Sequence, residues 1–309
     1  MTRSARVAHM PVLEGVSASV VAVPPGRWPS LLDFLAQRMP GITRDDWAQR
    51  LGLGLVLQEN GQSAQADQAC QAGQRFFYYR HVADEPHLPM SATVLFEDDH
   101  LLVADKPHFM PVTPSGPYVQ QSLLVQLKRL TGEAHLVPLH RIDRETAGLV
   151  LLGKRLSERD AYHALFREHR IHKIYHAVAA HAPNLSLPRV HTSRLVPGEP
   201  FFRTREVPGV ANSETRVALL DTENQRALYQ LEPVSGKRHQ LRVHMAALGV
   251  PIEGDPFYPT LTRGPDAPED FSRPLQLLAQ SISFTDPLTG QPRQWTSALK
   301  LHWGTTTHM

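Results

Sequence analysis

One acidic side chain stands between two arginines in the run His140-Arg141-Ile142-Asp143-Arg144-Glu145-Thr146-Ala147-Gly148. Positive neighbours favour the charged form of a carboxylate. Asp143 is therefore suited to act as a nucleophile or general base, and poorly suited to act as a general acid. Arg141 and Arg144 can bind phosphate, which points to a substrate with a polyanionic backbone. Taken alone, such a carboxylate is most often half of a surface salt bridge, so other segments have to carry part of the argument.

Two segments do. A basic helix end runs into a strand read over Ile171 to Ala180, whose alternation puts Lys173 and Tyr175 on one face and Ile174 and His176 on the other. A phenol stacks on a nucleobase regardless of pairing, and its oxygen can exchange a proton. Further on, Ser235-Gly236-Lys237-Arg238-His239-Gln240-Leu241-Arg242-Val243-His244 is a glycine turn that leads basic residues into a helix. Leu241, Met245 and Leu248 form its apolar stripe.

Other chemistries find little support. The one cysteine, Cys70, excludes an internal disulfide framework and a cysteine-based zinc site. His239 and His244 are five residues apart and diverge on a helix, so no metal site is expected. No glycine-rich dinucleotide loop or Walker loop is present, so no nucleotide cofactor is expected either. The isoleucine inside His140-Arg141-Ile142-Asp143 breaks the His-Arg-Asp spacing of a protein kinase loop.

The 309 residues suggest two domains. With 41% hydrophobic and 20% charged residues the composition is that of an ordinary globular protein. A net charge of +2 announces no global field, so if a nucleic acid binds, the positive charge has to be local, with 17 histidines as a reserve. Met1 to Arg6 has no leader-like apolar run, and no stretch is long and apolar enough to span a membrane. A cytoplasmic protein without membrane contact is the expectation.

Residues 1–88 are read as an accessory domain. Helices are expected over Ser30–Arg38 and Thr43–Leu51, then strands over Gly52–Leu57 and Gln74–Arg80, with a turn at Glu59-Asn60-Gly61 between them. Val82 to Pro89 is the expected linker, and residues 89–309 the catalytic domain. That domain opens on a hairpin over 94–104. Helices follow over Gln121–Leu130, with Leu123, Leu124, Leu127 and Leu130 on one face, and over Ser157–Glu168, with Ala161, Ala164 and Leu165 inward and Phe166 a further candidate. A second hairpin covers 213–232. The proline-containing connections 182–212 and 259–274 read as mobile loops.

The three blocks together, in this order, resemble the RluA-type RNA pseudouridine synthases. That family carries His-Arg-Leu-Asp, then Lys-x-Tyr, then Thr-Gly-Arg-x-His-Gln-Ile/Leu-Arg-x-His. Here Ile142, Ser235 and Lys237 are conservative departures. The opening hairpin resembles the family's Asn-Lys-Pro-x-Gly, with Asp105 and His108-Phe109 in place of part of it. Gly254-Asp255-Pro256-Phe257-Tyr258 resembles a family turn whose role is structural. The resemblance covers about residues 94–300.

It implies an α+β pseudouridine synthase fold, with a mixed, mostly antiparallel central sheet flanked by helices. Residues 1–88 would be a small αL-like RNA-binding module. The resemblance makes Asp143, Tyr175 and Arg242 the catalytic residues, with Arg242 paired to Asp143 and Tyr175 against the target base. His140, Arg141, Arg144, Lys173, Lys237, Arg238 and His239 would face RNA. The substrate implied is a uridine in structured RNA, ribosomal RNA first and transfer RNA next. Isomerisation needs no cofactor and no metal. Oligomeric state is open, and a monomer would be unsurprising. The competing reading is a catalytically silent RNA-binding or ribosome-assembly protein of the same fold.

Overall fold

The computed structural model describes residues 10–82, 84–264, 267 and 269–303. The chain's opening, read above for a leader, lies outside the described residues, as do Ala83 of the linker and positions 265, 266 and 268 of the second long connection. Two compact units form: Met1–His87 with Thr113–His135, and Leu88–Val112 with Leu136–Met309.

In the first unit, Ser30 starts α1 (Leu31–Arg38) by accepting the Asp33 amide on its hydroxyl, and Thr43 starts α2 (Arg44–Gly52) by accepting that of Asp46. These caps satisfy amides that a helix N-terminus leaves unpaired. Leu31, Phe34, Leu35, Trp47 and Leu51 are buried together with Val56 and Phe76. Strands β1 (Ser19–Ala22), β2 (Val56–Gln58) and β3 (Arg75–Tyr78) form an antiparallel sheet with β3 in the middle. β1, which ends just before Pro24-Pro25-Gly26, is not among the strands read from the sequence, and β2 starts four residues later than expected because the end of α2 is closed by the amides of Gly54 and Leu55 bonding back to Leu51 and Arg50. Two helix arginines are already engaged within the unit: exposed Arg44 pairs with Asp33, and half-buried Arg50 donates to the His81 carbonyl and lies over Trp47.

The stretch after Val112 was expected in the catalytic domain, but Thr113–His135 returns to the first unit. Packing explains why. Val119 and Val125 share a core with Met10, Val16, Ala18, Leu57, Phe77 and Tyr79. The Glu85 carboxylate accepts the backbone amides of Val119, Gln120 and Gln121 at 2.6–2.8 Å, just ahead of α3 (Leu123–Thr131). The buried side of α3 is Leu123, Val125 and Leu127, and Leu130 is exposed, contrary to the stripe expected of it.

The second unit is built on an eleven-stranded sheet. Its main path runs β10 (Thr204–Val207), β9 (Arg189–Pro197), β11 (Ser213–Glu223), β12 (Arg226–Pro233), β8 (His172–Ala180), β13 (Leu277–Thr285), β7 (Ala147–Gly153), β5 (Leu101–Lys106) and β4 (Thr93–Glu97). β6 (Val137–Pro138) pairs with β7, and β14 (Pro292–Thr296) with β13. Among the described residues every pairing is antiparallel except β13 with β7, which gives the mixed α+β sheet that the family resemblance implied. β7 is buried along its whole length, as its continuous apolar run requires. Residues 182–212 are not a bare loop: β9 and β10 lie within them, with Pro188, Pro197, Pro200 and Pro208 at or near strand ends.

Two helices pack on this sheet. α4 (Arg159–Arg167) buries Tyr162 and Leu165 with Leu101, Val103, Leu149 and Leu151. Tyr162 replaces the alanines expected inward, because its hydroxyl has a buried partner in Asp286. α5 (Gln240–Ala247) buries Leu241 and Met245 against Ala177, Ala179, Val217 and Leu231.

Gly148, five residues after Asp143, fixes where the Asp143 segment enters the sheet. It adopts φ +108 opposite Ala279 of β13, and a Cβ there would lie 2.3 Å from the Ala279 carbonyl oxygen. Backbone cannot yield cheaply at that point. Gly148→Ala is expected to lower unfolding free energy by about 3 kcal/mol or more, read as a drop in denaturant midpoint. A variant as stable as wild type would mean that β7 and β13 need not approach so closely.

Candidate active site

Asp143 lies on the turn that leads into β7, where the Thr146 amide bonds back to its carbonyl at 3.2 Å. Its side chain keeps 23% exposure. Arg242, in the first turn of α5, has none. Its guanidinium makes a two-pronged bond to Asp255 (Nε–Oδ2 2.8 Å, Nη2–Oδ1 2.7 Å), while Nη1 reaches Glu145 Oε2 at 3.2 Å and Asp143 Oδ2 at 3.4 Å. The rings of Phe257 and Tyr258 lie 4.8 and 5.5 Å from it. A buried cation needs this many partners, and the surrounding carboxylates raise the Arg242 pKa despite burial.

Asp255 is fixed in turn. Its Oδ1 also accepts the amides of Phe257 and Tyr258. Glu145 is buried, which alone would raise its pKa, but Arg242 and Arg144 outweigh that and bring it to about 2. Glu145 therefore stands as an anion beside Arg242 at neutral pH, and the Asp143 contact is the longest of the three.

His239 completes the surround. It sits at φ +56 just ahead of α5, with Nε2 3.9 Å from Asp143 Oδ1 and Nδ1 2.9 Å from the Tyr258 hydroxyl. That hydroxyl accepts the Thr204 amide at 2.7 Å. Its own proton is then directed to Nδ1, an assignment that puts the ring proton on Nε2, facing Asp143. Burial lowers the His239 pKa against the pull of Asp143, so the ring is neutral. Tyr175 stands on β8, opposite Ala279 and Leu231 in the register. Burial first, and then the Asp143 charge, raises its pKa, so the phenol keeps its proton.

Beneath the Asp143 turn lies Lys106, the last residue of β5. It is fully buried, and its ammonium donates to the carbonyls of Pro107 and Arg144 at 2.9 and 3.2 Å. His108 donates from Nδ1 to the Glu145 carbonyl at 2.7 Å, and burial pushes its pKa down to about 4. Phe109 stands where the family pattern has glycine and adopts a left-handed conformation, φ +65, of the kind glycine accommodates without strain. Its buried ring packs edge-on with Phe271, 5.2 Å away, which holds a backbone angle that L residues avoid.

The residues expected to face RNA separate into two groups. Arg141 and Lys237 are exposed. Arg238 is exposed too, but donates to the carbonyls of Phe201 and Arg203. Arg144 binds Glu145 and Glu269. Lys173 is half-buried, and burial lowers its pKa. Two positions are corrected. His140 accepts the Leu151 amide at 3.1 Å, stacks on Phe166 and has its pKa pushed to about 3 by burial, so it braces β7. His239 is buried beside Asp143 and does not line an outer edge. Glu145, Asp255, Lys106 and His108 were not singled out. Glu145 and Asp255 lay inside motifs already quoted, and their acidity beside the expected Arg242 was the available signal.

Residues 100–247 match the family described as RNA pseudouridylate synthase. A Synechocystis protein named as an uncharacterised RNA pseudouridine synthase is 32% identical to this chain, across 74% of it and 79% of its own length. The chain belongs to the RNA pseudouridine synthases. The dual-specificity RNA pseudouridine synthase RluA of Vibrio vulnificus is 34% identical over 63% of this chain and 78% of its own. The ribosomal large subunit pseudouridine synthase C of the same organism is 34% identical, over 65% and 64%. The membership is therefore of RluA type. Among solved structures, human RNA pseudouridylate synthase domain containing 4 superposes with a TM-score of 0.52 at 26% identity, over 67% of this chain and 88% of its own. Human domain containing 1 shares the fold, with a TM-score of 0.55 at 19% identity over 69% of this chain and 86% of its own.

Lys106 gives this RNA isomerase a pH signature. Burial pushes its ammonium from the ordinary 10.5 down to about 7, against the pull of Glu145 and Asp143. Between those values the unfolded chain holds a proton that the folded chain has released. The stability contributed is therefore complete above the unfolded value and is lost as pH falls to the folded one. Relative to Lys106→Met, wild type should gain up to about 1.4 kcal/mol per pH unit across that window, measured by denaturant unfolding. Parallel curves for the two proteins would refute the assignment.

Proposed function

We propose that Asp143 is the reacting carboxylate, Tyr175 the platform for the target base and Arg242 the group that orients Asp143. The proposed target is a uridine in ribosomal RNA, with transfer RNA next. One observation carries the reading: of the three carboxylates around Arg242 among the described residues, only Asp143 is loosely held and open to solvent, and it stands close enough to Tyr175 to shift that phenol. A buried, tightly bonded carboxylate cannot reach a substrate, and this one can. The names of the Vibrio relatives support the choice of RNA.

The reaction exchanges one bond for another. A uridine leaves its stack at a cost of a few kcal/mol. Asp143 acts at the ribose, as nucleophile or as base, while the C1′–N1 bond breaks. The freed uracil turns on the Tyr175 ring until C5 faces C1′. The C1′–C5 bond forms, C5 gives up its proton, and N1 ends protonated, so atoms balance without a co-reactant. A phenol whose pKa is raised is a poor base, so Tyr175 serves by stacking and not by taking the C5 proton. Arg141 and Lys237, both exposed, are the candidates for gripping phosphates.

Release of tritium from RNA labelled at uridine C5 tests this. Wild type should release label from ribosomal RNA, and Asp143→Asn should bind the RNA but release none. Release by both proteins would remove Asp143 from its role. Release by neither, on ribosomal and transfer RNA alike, would favour a silent RNA-binding protein.

A further inference from the structure

His191 on β9, Glu206 on β10 and His244 on α5 bring three ligand atoms within 4.8 Å of one another. His191 Nε2 lies 2.8 Å from Glu206 Oε1, and His244 Nε2 lies 3.9 Å from the same oxygen. The two imidazoles meet edge to face with centroids 4.6 Å apart. Neither the isomerisation nor the surround of Asp143 uses any of these atoms. We propose that this trio is a binding site for a zinc ion.

The donor set fits that ion. Two imidazole nitrogens and one carboxylate oxygen are ordinary zinc ligands, and tetrahedral bonds of about 2.0–2.2 Å place neighbouring ligand atoms about 3.3 Å apart. The 2.8 and 3.9 Å separations from Glu206 bracket that value, and all three ligand atoms lie within 4.8 Å of one another, so closure needs side-chain adjustment and no rearrangement of the backbone. The ligands come from three separate elements, and side-chain exposure rises from 0% at His244 to 18% at His191 and 28% at Glu206. That leaves an approach to the trio from the solvent side.

The outer surround is also supplied. His244 Nδ1 is 2.9 Å from the Thr215 hydroxyl, a contact of the kind that fixes a metal-binding tautomer. The hydroxyls of Ser193 and Ser213 lie 3.0 and 3.1 Å from His244 Nε2, close to where the ion would sit. A zinc ion here would clamp the β9–β10 hairpin to α5, two residues from Arg242. The sequence hid the site because His191, Glu206 and His244 are far apart in the chain, and the first two fall in a stretch read as a loop.

Calorimetric titration of the metal-free chain with zinc chloride tests the proposal. Wild type should bind a single zinc strongly, and His191→Ala and Glu206→Gln should each weaken that binding at least about tenfold. Glu206→Gln is isosteric, so it keeps the test valid if His191→Ala fails to fold. Failure of wild type to bind zinc would overturn the site. So would undiminished binding by folded Glu206→Gln, which would place the zinc on other histidines of the 17.

Discussion

A guanidinium with no exposure to solvent has to have its charge met within the protein, and Arg242 is met by three carboxylates from two parts of the chain. Asp255 takes two nitrogens in a planar fork, and Glu145 and Asp143 share the third. The order of contact lengths, 2.7, 3.2 and 3.4 Å, is also an order of increasing access to solvent. Two carboxylates are committed to holding the cation. The third is left close to it, and available.

Much of the surrounding structure serves to keep that arrangement in place. The Gly254-Asp255 turn aims one carboxylate and uses it again to cap the amides of Phe257 and Tyr258. Tyr258 then carries the constraint to His239, whose ring faces Asp143. From the other side, Lys106 and His108 hold the backbone carbonyls of Arg144 and Glu145, so the Asp143 turn is fixed by main-chain bonds. Gly148 lets the same segment enter the sheet against β13. Asp143 itself makes no short bond to any of these groups, which suits a side chain that has to change partners during a reaction.

The parts of this site that were legible in the sequence are those written in consecutive residues. The Asp143 motif, the Lys173-Ile174-Tyr175 strand and the Gly236 to His244 turn and helix all lie where their patterns placed them, because period-two and helical spacings are local properties. What was not legible depended on contacts between distant residues. Asp255 reads as a turn residue until Arg242 is seen against it. His140 reads as a ligand for RNA until the Leu151 amide and Phe166 occupy its ring. Thr113–His135 reads as part of the second domain, and only the core around Val119 and Val125 assigns it to the first unit. The strands within 182–212 were masked by five prolines, which sit near strand ends and leave the ladders intact.

The central claim is that a guanidinium fixed by Asp255 orients Asp143. Arg242→Lys tests it most directly, because lysine keeps the charge but cannot reproduce the two-pronged bond. Single-turnover isomerisation and RNA affinity should be measured side by side on the same substrate. The account predicts affinity close to wild type and a rate lower by about a hundredfold, the order expected when a reacting group is misplaced by about an ångström. An unchanged rate, or a loss confined to affinity, would contradict it.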